Sequence, residues 1–169
     1  LELFNQLPDL KNLPWEEFTR VCSRCQRCPL HERRQQVVLG EGPLDADLML
    51  IGEAPGEQED LQGVPFVGRA GQLLTQILAS VGIKRPEDIY ITNVVKCRPP
   101  GNRTPSASEA KACRPYLEEQ LRRIQPKIIL LAGAPATQAI LGTKEAMGKM
   151  RGRWHKLAKN RYALPIFHP

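Results

Sequence analysis

No stretch of this sequence approaches the roughly 18 consecutive apolar residues of a membrane-crossing helix, so a helical membrane protein is not expected. The opening residues Leu1–Leu10 hold acids and a proline and no apolar core, and do not read as a secretory leader. The five cysteines are an odd number, which argues against the disulfide framework of a small secreted protein. Internal repeats, low-complexity tracts and a convincing linker are missing. So is the Gly-Lys-Ser/Thr ending that would make the loop after the first apolar strand a phosphate cradle. These absences leave a cytoplasmic protein whose 169 residues form a single domain, 1–169.

What is present is a split set of thiols. Cys22, Cys25 and Cys28 stand at three-residue steps near the start, and Cys97 and Cys113 lie far downstream around a polar Pro/Asn/Arg/Ser stretch. Close thiols joined by distant ones are how a small domain assembles a four-thiolate metal site, and a Cys-Pro step such as Cys28-Pro29 is common in iron–sulfur loops. Zinc and an iron–sulfur cluster both accept four thiolates, and five candidates stand for four places. A chain of this length needs no metal merely to fold, so the centre reads as a local clasp. The formal net charge of +6 favours an anionic partner such as nucleic acid.

Along the chain, residues 13–23 read as a helix capped by Asn12, with Pro14 in the first turn. Val37–Leu39 reads as a short strand. Asp47–Gly52 is a buried strand by pattern, followed by a Gly/Pro-rich polar loop over Glu53–Pro65. Gly71–Val81 carries Leu73, Leu74, Ile77, Leu78 and Val81 at helical spacing. Ile89–Val95 is a second strand. Ser106–Ile124 is a long helix with a Ser106/Glu109 capping box and Glu118 and Glu119 facing Arg122 and Arg123. Lys127–Ala132, the helix Ala134–Leu141 closed by Gly142, and the apolar run Ala163–Phe167 complete the pattern. Strands alternating with helices imply a parallel sheet covered on both faces, an α/β fold. In such a sheet the ligand crevice lies at the carboxyl ends of the strands, which collects Gly52–Gly56, Thr92-Asn93, Ala132–Ala134 and His168-Pro169 into one site.

Several residues there carry chemistry. Phe66, between glycines, suits stacking on a planar ligand or a place in the core. Asn93 ends a strand, where an amide both donates to and accepts from a nucleobase edge, or makes an Asx turn. The acids of the loop Gly52–Asp60 would repel a phosphate. Lys96, Arg98 and Arg103 are candidates for phosphate contacts. His168, after the last apolar run, is placed to donate to a developing anion or is a structural histidine. His31 and His155 read as surface residues.

Taken together, Gly52-Glu53-Ala54-Pro55-Gly56-Glu57-Gln58-Glu59-Asp60, Pro65-Phe66-Val67-Gly68-Arg69-Ala70-Gly71, Ile91-Thr92-Asn93-Val94-Val95-Lys96-Cys97-Arg98-Pro99-Pro100 and the terminal His168-Pro169 resemble the family 4 uracil-DNA glycosylases, the iron–sulfur branch of the uracil-DNA glycosylase superfamily. The resemblance runs from about Cys22 to Pro169. It implies a three-layer α/β/α sandwich around a four-stranded parallel sheet. It also implies a [4Fe–4S] cluster on Cys25, Cys28, Cys97 and Cys113, with Cys22 as the spare thiol and the N-terminal cysteine segment clasped by the cluster. The implied activity is DNA repair: uracil in single- or double-stranded DNA flips out of the stack, its N-glycosidic bond is hydrolysed, and free uracil leaves an abasic site. The implied roles are stacking by Phe66, reading of the pyrimidine edge by Asn93, lining by the backbone of Glu53, Ala54 and Pro55, and stabilisation of the uracil anion at O2 by His168. Ala54 stands where the best-known branch of the superfamily carries a water-orienting aspartate, which leaves Glu53 as the nearest carboxylate. The segment Cys97–Ser106 lacks the histidine-containing loop of a related branch, so turnover without a covalent adduct is expected. The resemblance further implies a DNA-inserting loop beyond Pro169, a monomer, and a place at the prokaryotic nucleoid.

Overall fold

A computed structural model describes residues 6–169; the reading of Leu1–Leu10 as leaderless lies outside it for residues 1–5. The sheet is built on β1 (Leu48–Gly52), β2 (Tyr90–Asn93), β3 (Ile128–Ala132), β4 (His155–Ala158) and β5 (Arg161–Ile166), in the order β2-β1-β3-β5-β4. Four of these strands are parallel, as expected; β4 is antiparallel to β5 and makes a fifth. The sequence pattern misses β4 because it is a largely exposed edge strand, His-Lys-Leu-Ala, with no apolar run. Its lysine is the sort of residue that keeps an open edge from pairing further.

The central strands are buried on both faces, which is why they read as continuous apolar runs. Met49 and Ile51 face one layer with Ile129, Leu131, Leu117 and Ala136, bringing in α4 (Ala107–Ile124) and α5 (Ala134–Leu141). Leu50 and Ile91 face the other with Leu74, Leu78 and Phe66, bringing in α3 (Arg69–Ser80). Helices on both faces of the sheet make the three-layer α/β/α sandwich. A third cluster joins the N-terminal segment to α4: Leu10, Phe18 and Cys22 pack on Cys113 and Tyr116.

Four local expectations change. Val37–Leu39 is not a strand; the chain there lies beside β2, with Val38 N–H donating to the Lys96 carbonyl at 2.8 Å and a lone bridge pairing Glu41 with Ile91. The N-terminal helix, α1 (Trp15–Ser23), starts after Pro14, because the Asn12 side chain donates to Asp9 instead of capping it. The polar loop Glu53–Pro65 contains a helix, α2 (Glu57–Gln62), whose acids sit in the first turn, where the helix dipole favours them. On α3, Leu74 and Leu78 are buried, but Leu73, Ile77 and Val81 are exposed, so the core-facing stripe is narrower than the apolar spacing. The short helix α6 (Met147–Met150) precedes β4.

The capping box of α4 forms as expected. Ser106 Oγ accepts from Glu109 N–H at 3.1 Å and Glu109 accepts from Ser106 N–H at 2.8 Å. Arg103 adds a fork onto both Glu109 oxygens at 2.7 and 2.9 Å, and this bond more than any other holds the carboxyl down at about 2. Further along α4, Glu119 binds both Arg122 and Arg123, whereas Glu118 pairs with Arg114. A carboxyl with a lowered folded-state pKa stabilises the fold above its unfolded value and loses that contribution as the pH falls through the folded one. The melting-temperature gap between the native protein and Glu109→Gln is therefore expected to be widest near neutrality. It should close as the pH drops from roughly 4.3, the unfolded glutamate value, toward 2. A gap that stayed constant over that range would show that Glu109 acts without its charge.

Candidate active site and thiol centre

The parallel strands end on one side of the sheet and place Ala54, two residues past β1, Asn93 at the end of β2 and His168, two residues past β5, around a cavity of about 440 Å³. Its wall includes Ala54, Glu59, Phe66, Asn93, Asn102 and His168. Asn93 is 2% exposed and Phe66 6%, whereas His168 is open to solvent. The Phe66 and His168 rings lie nearly parallel, with centroids 5.7 Å apart and an interplanar angle of 26°. A flat aromatic, a buried amide and an exposed imidazole thus surround one space, with the chemistry to stack, read and donate.

The loop carrying Phe66 is held from several sides. Phe66 itself adopts φ 51°, the left-handed region that a bulky residue occupies only when its surroundings compel it. Glycine at position 71 is required, because a Cβ there would come within 1.9 Å of the Phe66 carbonyl group. At Gly52 a Cβ would lie 2.5 Å from Asn93 Oδ1 and 2.6 Å from the Phe66 ring. Glu59 bridges the two loops. Its Oε1 accepts from Gly56 N–H at 3.0 Å, and its Oε2 accepts from Val67 and Gly68 N–H at 2.9 and 2.7 Å. Behind the loop, the buried guanidinium of Arg85 donates to the carbonyls of Pro65 and Phe66, to Thr75 Oγ1 and to Glu41.

Arg85→Met keeps the apolar stem but leaves two carbonyls and the Glu41 carboxylate without their partner. A loss on the order of 3 kcal/mol in unfolding free energy is expected, read from the urea midpoint. An unchanged midpoint would show that solvent replaces the guanidinium without cost.

Of the residues singled out in the sequence, Ala54, Phe66, Asn93 and His168 meet at the cavity. Pro55 is buried but does not line it. Glu53 borders a neighbouring groove with Val94, Val95 and Thr104, and its carbonyl accepts from Val95 N–H at 3.1 Å. Of the phosphate candidates, Lys96 is buried and unavailable to DNA; Arg103 is committed to Glu109; Arg98 donates to Asn102 at 2.7 Å on the cavity rim. His31 is half-buried, with Nδ1 2.7 Å from the Cys28 carbonyl, and His155 is half-buried with Nε2 enclosed and unpaired. Sequence reasoning passed over Glu59, Arg85 and Gln120. Only Glu59 left a trace, as a glutamate three residues after Gly56 at a helix start.

Four thiols gather elsewhere. Cys25 and Cys28 follow α1, Cys97 follows β2 and Cys113 lies within α4; all four line one cavity, with Arg34, Lys96 and Tyr116. Cys22 lies apart from it in the apolar cluster with Leu10 and Phe18. Among the described residues no three cysteine, histidine or acidic side chains close on a point fit for a single metal ion; the four thiols stand around a common space. Two donors address the sulfurs: Lys96 N–H to Cys113 Sγ at 3.3 Å and the Arg34 guanidinium to Cys97 Sγ at 3.5 Å. The Tyr116 hydroxyl, on the same wall, is buried without a partner. Burial pushes the Cys97 thiol up to about 12 and the Cys113 thiol up to about 11.

A mostly parallel sheet with its crevice at the strand ends, a stacked Phe66/His168 pair and a buried asparagine define an α/β protein whose site suits a flat, hydrogen-bonding ligand. The family model for the uracil DNA glycosylase superfamily matches residues 39–169, and the chain belongs to that superfamily. Its relatives include a type-4 uracil-DNA glycosylase of Thermotoga maritima, 48% identical over 91% of this chain and 82% of the relative. A second is the type-4 enzyme of Archaeoglobus fulgidus, 42% identical over 91% and 80%. A type-5 uracil-DNA glycosylase of Thermus thermophilus is more distant, at 28% identity over 90% of this chain and 85% of that one.

Proposed function

We infer that this chain is a monofunctional uracil-DNA glycosylase of the type-4 kind, which hydrolyses the N-glycosidic bond of uracil in DNA and leaves an abasic site. The observation that carries this reading is the convergence of Phe66, Asn93 and His168 on one cavity at the strand ends. A uracil flipped from the stack enters that cavity and lies against the Phe66 ring. Uracil presents an N3–H donor and an O4 acceptor, where cytosine presents an N3 acceptor and an N4 donor. The buried Asn93 amide, oriented once, matches the first pair and opposes the second.

As the bond breaks, the sugar becomes oxocarbenium-like and the base leaves as an anion. An imidazole N–H of His168 donates to uracil O2 and stabilises that charge, a donor typically worth about 3–4 kcal/mol of barrier. Ala54 supplies neither acid nor base. The placement of Glu53 beside the neighbouring groove lends no support to a proton-transfer role, so the reading rests on stabilising the leaving group. The net charge of +6 suits the phosphate backbone.

The residues of the thiol centre fit a [4Fe–4S] cluster held by Cys25, Cys28, Cys97 and Cys113. They form a four-sulfur donor set around one space, two N–H groups already address the sulfurs, and a buried tyrosine hydroxyl lacks a partner. Such a cluster would clasp the N-terminal segment, through Cys25 and Cys28, to Cys97 and to Cys113 of α4. The test of function is a labelled oligonucleotide with one uracil, treated with alkali after incubation. Strand cleavage at uracil alone supports the reading, and an intact strand with cluster-loaded, DNA-binding protein counts against it.

A further inference from the structure

The positive charge of this chain sits in one place. Residues 1–142 hold seventeen basic and seventeen acidic side chains, which cancel; residues 143–169 hold seven basic ones and the single acid Glu145, which is the whole formal +6. Six of the seven are exposed, and the half-buried Arg161 donates to the Pro126 carbonyl at 3.1 Å. None of the seven belongs to an ion pair among the described residues. They follow one edge of the molecule: Lys149 on α6, Arg151 and Arg153 in the loop after it, Lys156 on β4 and Lys159 in the turn to β5. A lysine keeps an edge strand from pairing further, but only Lys156 lies on β4, so that need does not account for the others. The edge also meets the cavity. Gly152 N–H donates to the Pro165 carbonyl, near the carboxyl end of β5, at 2.9 Å, and the Arg151 guanidinium lies 4.6 Å from the centroid of the Phe167 ring. Phe167, 57% exposed, is the residue before His168. On the α2 and α3 side of the cavity the exposed charges are Glu57 and Arg69, one of each sign.

We propose that the edge running from α6 to the β4–β5 turn is the surface that grips the DNA backbone. Arg151, Arg153 and Lys156 take phosphates on one flank of the flipped nucleotide, and Lys149 and Lys159 draw in the strand around them. A row of long basic side chains with one acid among them complements a polyanion of regularly spaced phosphates, and such contacts set register without reading sequence. Because the rest of the chain is neutral as a whole, this edge supplies most of the electrostatic part of the affinity. Arg151 joins the grip to the base pocket: its guanidinium is held over the ring that precedes His168, so a phosphate bound there lies next to the cavity mouth. The inference says where the DNA lies on the molecule and rests on the glycosylase reading given above.

The test measures binding of the native protein and two variants to a labelled, uracil-free duplex from about 50 to 200 mM salt, so that no chemistry enters. Arg151→Gln/Arg153→Gln removes two charges from the edge. Lys84→Gln/Lys127→Gln removes two from the end of the sheet away from the cavity, ahead of β2 and β3. Each lost phosphate contact lowers the slope of log K against log salt by about 0.9, so the edge variant is expected to bind with a slope shallower by about 1.8, while the second variant keeps the native slope. A native slope in the edge variant, or the same loss in both variants, overturns the proposal. If loss of the Arg151 stack on Phe167 unsettles the fold, seen as a lowered melting temperature, Arg153→Gln/Lys156→Gln leaves that stack in place and decides by the same slope. The two readings fail separately. A shallower slope in the edge variant of a protein that frees no uracil from DNA would support this surface and refute the glycosylase reading. Uracil release with an unchanged slope would do the reverse.

Discussion

His168→Ala is expected to lower the single-turnover rate of uracil release by about 10²–10³, with DNA binding nearly unchanged. The side chain is exposed and follows the last strand, so its removal leaves no buried cavity and no orphaned hydrogen bond in the core. Its ring stacks on Phe66, a contact that contributes little once a base occupies the space. The loss should therefore appear in the chemical step and not in KM, since the interaction forms with an anion that exists only as the bond breaks. A uracil analogue whose leaving base is already a weak base should lose less. Equal losses in affinity and rate, or no loss, would remove His168 from the role of leaving-group donor.

Asn93→Asp is expected to cut kcat/KM on uracil by roughly 10⁴-fold and to bring cytosine within measurable reach. The asparagine is 2% exposed and lines the cavity, so water cannot repair a mismatch there. A carboxylate only accepts. Opposite uracil O4 it sets acceptor against acceptor, and opposite the cytosine amino group it finds a donor. Asn93→Ala separates reading from repulsion, because it should lose uracil activity and gain none on cytosine. Cytosine release by both variants, or by neither with uracil activity intact, would show that discrimination lies elsewhere.

The legible parts of the fold share one property: their pattern comes from burial within a short window. β1 and β3 are apolar runs because both of their faces are covered, and α4 announces itself through Ser106 and Glu109. β4 escapes because an exposed edge strand needs no apolar residues, and Val37–Leu39 misleads because β-branched residues also suit an extended segment that pairs only once. The exposed Leu73, Ile77 and Val81 show that helical spacing says which residues share a face and not what covers it. In the site, Asn93 and His168 are legible because strand ends collect them, and Phe66 because it is an aromatic set between glycines. Arg85 and Gln120 are not, since their work depends on partners distant in sequence: Arg85 reaches back 20 residues to Pro65, and Gln120 reaches 81 to the Leu39 carbonyl. Lys96 reads as a basic-loop residue until its side chain is seen turned inward.

The central claim is that the cavity bounded by Phe66, Asn93 and His168 accepts a flipped uracil and lets it leave as the free base. The most direct measurement is chromatographic detection of the base released from duplexes that differ only in carrying uracil, cytosine or thymine at one position. The account predicts one free uracil per uracil-containing strand, with the strand uncut until alkali is added and nothing released from the other two duplexes. Release of cytosine or thymine at a comparable rate, or strand scission without free uracil, would contradict it.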